Sequence, residues 1–228
     1  HRDLHSFPTR RSSDLFVLVG GTLLSILPRL PSLDLVTDYR PKIPLRIYTA
    51  DGALLGEFGE ERRDFTPIQE IPPLMKEALL AIEDARFYEH GGVDYRGVAR
   101  AVAAGLTGGM RQGASTITMQ VARNFFLTPE KTLRRKLTEV MLSYRIESAL
   151  SKDQILELYM NQIYLGQRSY GFSSAARTYF RKRLSELTLA EAAMLAGIPQ
   201  NPAKHNPAVN PARARSEEHT SELQSPNT

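Results

Sequence analysis

"IPPLMKEALLAIEDARFYEHGG", residues 71–92, is the stretch on which the rest of the chain turns. Pro73 suits the first turn of a helix, where its missing N–H leaves nothing unsatisfied. Met75, Leu79 and Ile82 then recur at i, i+4 and i+7, an apolar helix stripe. The run stops at two adjacent carboxylates, Glu83 and Asp84, followed by Phe87, His90 and the Gly91-Gly92 pair. Glu83 borders the stripe near the helix end. A carboxylate placed there is partly desolvated, which raises its pKa and suits proton transfer near neutral pH. Alone, Glu83 has an ordinary reading as a solvated helix-end acid, and His90 as a structural or capping residue.

Upstream, "LRIYTADGALLGEF" (45–58) places β-rich flanks around Asp51-Gly52, a hairpin signal. Downstream the pattern is helical to the end. Asp94 can cap "YRGVARAVAAGLTG", and Gly108, Gly109 and Gly113 mark a loop. Ser115 can cap "TITMQVARNFFL", and Thr128-Pro129 opens a helix reaching about Leu150. Ser151 with Gln154 is a capping-box pattern for a helix that Gly166 ends, and Thr188 with Glu191 starts a last one before Pro199.

Two of these helices carry chemistry-bearing residues. The glycine loop turning through Ser115 into a helix start presents free N–H groups and a positive dipole end, an anion seat, with Gln120 and Arg123 on the first turns. It reads equally as an N-capped amphipathic helix. In "TPEKTLRRKLTE" (128–139), a helical wheel puts Lys131, Arg135 and Glu139 on one stripe with Lys136 at its edge. Leu133, Leu137, Val140 and Tyr144 fall on another face, expected to be core. The ordinary reading of the charged stripe is an exposed face with i, i+4 ion pairs.

Composition narrows the partners. The 228 residues carry a formal net charge of +4 and no cysteine or tryptophan. Thiolate chemistry is absent, and an anionic partner is favoured. With no basic run interleaved with aromatics, nucleic acid is not that partner. The apolar run "FVLVGGTLLSIL" (16–27) is shorter than the ~20 residues a membrane span requires. It reads either as the C-terminal half of a truncated anchor over 16–30, the favoured reading, or as a buried helix. Residues 1–15 and 215–228 lack any apolar period and resemble translated sequencing-adapter oligonucleotides, so fold expectations exclude them. Between them lie a membrane-proximal β and linker segment (31–70) and a helical domain (71–214) expected to be cut short at its C-terminal end.

Taken together, the motifs resemble the series of the peptidoglycan glycosyltransferases, glycosyltransferase family 51, found as the N-terminal domain of class A penicillin-binding proteins. Glu83, Asp84, Phe87, His90 and Gly92 match the first motif. Gly113, Ser115, Thr116, Thr118 and Gln120 match the second, and Arg135, Lys136 and Glu139 the third. "ILELYMNQIYLG" (155–166) and "AAMLAGIPQNP" (192–202) match the fourth and fifth. Met119 departs from the family, where many members carry a second Gln.

The resemblance implies a mainly α, lysozyme-like fold with a membrane-dipping lobe, on the outer side of a bacterial inner membrane. It implies polymerisation of lipid II onto a growing glycan strand, by inverting transfer with release of undecaprenyl pyrophosphate. Glu83 and Glu139 are then the catalytic acids: Glu83 the base, Glu139 orienting the cations or holding a metal. Ser115, Thr116, Gln120, Arg123, Lys131, Arg135 and Lys136 would bind substrate. A divalent cation, Mg or Mn, is compatible with the pyrophosphate chemistry, and no organic cofactor is expected. A C-terminal transpeptidase domain is left open. The competing readings are a lysozyme-like hydrolase or lytic transglycosylase, and an inactive lipid II-binding module.

Overall fold

The computed structural model describes residues 20–21, 24–39, 45–59, 61–106, 113, 115–130, 132–200 and 202. Both terminal segments, Lys131, Gly108, Gly109 and half of the 16–27 run lie outside the described residues.

The described chain is mainly helical behind a small β element, as the sequence leads one to expect. A short helix α1 (Asp34–Thr37) precedes the hairpin of β1 (Leu45–Tyr48) and β2 (Leu54–Phe58). The strands are antiparallel, with Leu45 opposite Phe58. Gly52 takes the turn at φ 85°, a conformation open to glycine at little cost. Then come β3 (Arg62–Arg63), α2 (Pro73–Glu83), α3 (Tyr95–Leu106), α4 (Ile117–Phe126), α5 (Leu133–Ala149), α6 (Lys152–Gln162), β4 (Ser169–Tyr170), α7 (Phe172–Phe180) and α8 (Leu189–Gly197). Strand β4 was not legible in a helical pattern; it forms because Ile163 turns extended and the chain folds back to pair in parallel with β3.

Helix α4 lies between α5 and α6, and α2 packs along α8. Met75 and Leu79 of α2, Ile117 and Val121 of α4, and Ile155 and Leu156 of α6 are buried together in one core. Each such side chain removed from water contributes about 1.5–3 kcal/mol. The capping boxes at Ser151 and Thr188 are present, and Pro73 opens α2.

Four local expectations are corrected. The α4 cap is Thr116, not Ser115: the Met119 amide donates to Thr116 Oγ1 at 3.2 Å. Helix α5 begins at Leu133 and not at Thr128-Pro129, because Thr132 is extended and its hydroxyl takes the Arg135 amide. Helix α6 stops at Gln162, before Gly166. Most consequentially, the faces of α5 are exchanged. Glu139, Leu142, Ser143 and Ile146 point inward, whereas Leu133 is 66% and Tyr144 40% exposed, with Leu137 and Val140 only partly covered. The wheel assumed that apolar side chains mark the core; here paired charges occupy it.

Gly92 sits where α5 meets the first-motif loop. Its φ is 84°, and a Cβ there would meet the Ser143 hydroxyl at 3.1 Å and its backbone at 3.2 Å. Gly92→Ala should therefore cost about 1–3 kcal/mol, read as a lower denaturation midpoint. An unchanged midpoint would show that this approach is not tight.

Candidate active site

Glu83 is the last residue of α2, and its side chain meets α4. Gln120 Nε2 donates to Glu83 Oε2 at 2.7 Å. Glu83 Oε1 is buried and has no hydrogen-bond partner among the described residues. Burial pushes the Glu83 pKa up, opposed by the Gln120 hydrogen bond and the nearby Arg123 and reinforced by Asp84. Gln120 is itself held on its carbonyl side, where Oε1 accepts from Tyr159 at 3.3 Å and from Arg123 Nη2 at 3.4 Å. The Tyr159 phenol lies well above its ordinary pKa, chiefly through burial, so it remains a donor.

Asp84 does different work from its neighbour. Its carboxylate takes His90 Nε2 at 2.9 Å and the Ile117 amide at 3.0 Å, so it caps α4 from the first-motif loop. Thr116 adds a bond from its hydroxyl to the Gly92 carbonyl at 2.6 Å. The Asp84 contact satisfies an amide that a helix start leaves open, and the Asp84 and Thr116 bonds together join the first two motifs. Thr118 is turned away from the acid and donates to Glu147 at 2.6 Å. Glu147 also pairs with Lys152, whose ammonium lies 4.4 Å from the Phe87 ring centre.

Glu139 has no exposed surface, and both of its oxygens are taken. Arg135 Nη1 and Lys136 Nζ each approach at 2.6 Å. Lys136 also donates to Ser115 Oγ at 2.8 Å and lies 3.7 Å from Met119 Sδ. The third motif is thus clamped to the second. Arg135, Lys136 and Glu139 together keep one excess positive charge, to which Arg123 adds another. Sequence reasoning missed Tyr159, Glu147 and Lys152 as contributors. A tyrosine and an i, i+5 acid–base pair carry no distinctive pattern, and only the fold brings them to the motifs.

Among the described residues no three His, Asp or Glu side chains converge as a metal cage would require. With both Glu139 oxygens engaged, the described residues do not fit a protein-held Mg or Mn. A cleft of about 340 Å³ bordered by Arg86, His90, Asp94 and Tyr95 lies beside the first-motif loop but does not include Glu83. Among the described residues no helix is long and apolar enough to cross a membrane.

A family model described as Transglycosylase matches residues 51–224. The chain is 57% identical over 199 residues to penicillin-binding protein 1A of Neisseria flavescens, covering 87% of this chain and 25% of that protein. It spans about a quarter of the length of such relatives. A protein of Cupriavidus necator named as a transglycosylase is 53% identical over 207 residues, covering 88% of this chain and 81% of that one. A solved penicillin-binding protein 1A from Haemophilus influenzae aligns at 28% identity with a TM-score of 0.43, over 81% of this chain and 18% of that one. The family match over most of the chain, and a relative matched along most of its own length, agree with the motif series: this chain belongs to the transglycosylase family.

Proposed function

We propose that this chain is a peptidoglycan glycosyltransferase domain that polymerises lipid II. The observation that carries this reading is Glu83: a carboxylate with a raised pKa, one oxygen fixed by Gln120, the other without a partner among the described residues, and Arg123 nearby. Glu83 Oε1 takes the proton from the acceptor sugar 4-hydroxyl as that oxygen bonds to C1 of the donor. The C1–O bond to pyrophosphate breaks on the opposite face, inverting the carbon, and the electron pair leaves on undecaprenyl pyrophosphate. One base and no covalent intermediate suffice.

The leaving anion requires preorganised cations. Arg123, Arg135 and Lys136 supply them, with Ser115 and Thr116 at the α4 N-terminus and Lys131 as a further candidate. Glu139 touches no substrate in this scheme; it orients the two cations beside it. A glycan-cleaving hydrolase would have an acid but no use for this set. Labelled lipid II separates the readings: polymer supports the proposal, no turnover favours a binding module, and cleavage of preformed glycan alone favours a hydrolase.

The substrate lies in a membrane, and the exchanged faces of α5 fit that setting. Leu133 and Tyr144 turn outward, and Tyr144 meets Tyr95 of α3, where Val102 is also exposed. An outward apolar face of this kind suits partial immersion among lipids at the outer side of the inner membrane. Leu133→Ser should weaken association with anionic liposomes about tenfold by removing one apolar contact, with little loss of stability. Sedimentation with liposomes reads this, and undiminished association would place the membrane-facing side elsewhere.

A further inference from the structure

We infer that Tyr159 is a positioning residue for the base: its hydroxyl fixes the Gln120 amide so that the amide N–H, and not the carbonyl, meets Glu83. This rests on the reading of Glu83 as the proton acceptor.

A glutamine amide is nearly symmetric in shape, so its orientation is set by its neighbours' donors and acceptors. At Gln120 both sides agree. Tyr159 and Arg123 converge on Oε1, while Nε2 faces the Glu83 carboxylate. An arginine can only donate and an ionised carboxylate only accept. A flipped amide would therefore set carbonyl against carboxylate and N–H against guanidinium.

The two donors on Oε1 are not equivalent. Arg123 is only partly buried and is a candidate for the leaving pyrophosphate, so it has a competing partner during turnover. Tyr159 is 1% exposed and comes from α6, which packs on α4. When Arg123 turns to the pyrophosphate, Tyr159 is what still holds the amide. Glu83 Oε2 then stays bonded and Oε1 remains the atom that takes the proton.

The test is Tyr159→Phe, which keeps the ring and removes one oxygen. We expect kcat on lipid II to fall about three- to tenfold with KM little changed, the size of one lost hydrogen bond. The acid limb of the rate profile should move to higher pH, because a freed amide stabilises the Glu83 carboxylate less. Carboxyl 13C NMR of Glu83, assigned with Glu83→Gln, should show the same upward shift without turnover. Tyr159→Phe combined with Gln120→Leu should lose no more activity than Gln120→Leu alone.

A core-packing role would lower the melting temperature and leave both the acid limb and the Glu83 titration in place; that result overturns the proposal. If Tyr159→Phe does not fold, 3-fluorotyrosine at position 159 keeps the volume and strengthens the donor. It should move the Glu83 titration downward, and a titration unchanged there also overturns the proposal. A wild-type chain that titrates as described but does not polymerise lipid II would sink the functional reading while leaving the Tyr159 link standing.

Discussion

Glu83→Gln should reduce lipid II polymerisation by about 10²–10⁴-fold, the usual cost of losing a general base, while the domain folds and still binds lipid II. The wild-type rate should fall as pH drops through the raised Glu83 pKa, since the protonated acid cannot accept the acceptor's proton. The stability effect runs the other way. A carboxyl whose folded pKa lies above its unfolded value binds its proton more tightly in the folded state, so stability from this group is lost as pH rises through the folded pKa. Glutamine carries no charge to desolvate, so the variant should melt at or above the wild-type temperature near neutral pH. Polymerisation above about a third of the wild-type rate, well outside the range for a lost base, would remove Glu83 from the chemistry. A clear drop in melting temperature would show that the acid serves the fold instead.

Glu139→Gln should act on fold and turnover together. It leaves Arg135 and Lys136 beside a neutral amide in a position with no exposed surface. Breaking a buried pair in this way is strongly destabilising; both cations keep some contact with water, so the expected loss is about 2 kcal/mol or more. Because Lys136 also reaches Ser115, its displacement should disturb the α4 N-terminus and slow polymerisation. Denaturant unfolding and lipid II turnover measure the two effects. A variant unchanged in both would mean that the ion pairs are incidental.

What the sequence could and could not disclose follows from the kind of signal each feature leaves. Caps are local: Ser151 with Gln154 and Thr188 with Glu191 announce their helices through side chains three residues apart, and both boxes are present. The apolar stripe of α2 rests on period alone, and Met75 and Leu79 are buried where it points. Period failed on α5, because hydropathy cannot tell a solvated charge from one buried against two partners contributed by the same helix. The Glu83–Gln120 contact joins residues 37 apart, and Tyr159 is 39 residues from Gln120. Such pairings exist only once α2, α4 and α6 have packed. Thr118 belongs to a family motif, yet the structure gives it to Glu147 and the scaffold.

The Asp84 carboxylate that takes the Ile117 amide has a consequence for inhibition. It bolts the segment carrying Glu83 to the helix carrying its hydrogen-bond donor Gln120, and Thr116 adds a second bolt at Gly92. At Glu83 the site is then a mould more than a clamp: the placement of that carboxylate against Gln120 is set before anything enters. A ligand cannot count on the walls closing around it, so rigid mimics of the charge-separated sugar and its departing anion should outperform flexible copies of the substrate. They lose less conformational freedom on entering a form that is already cast.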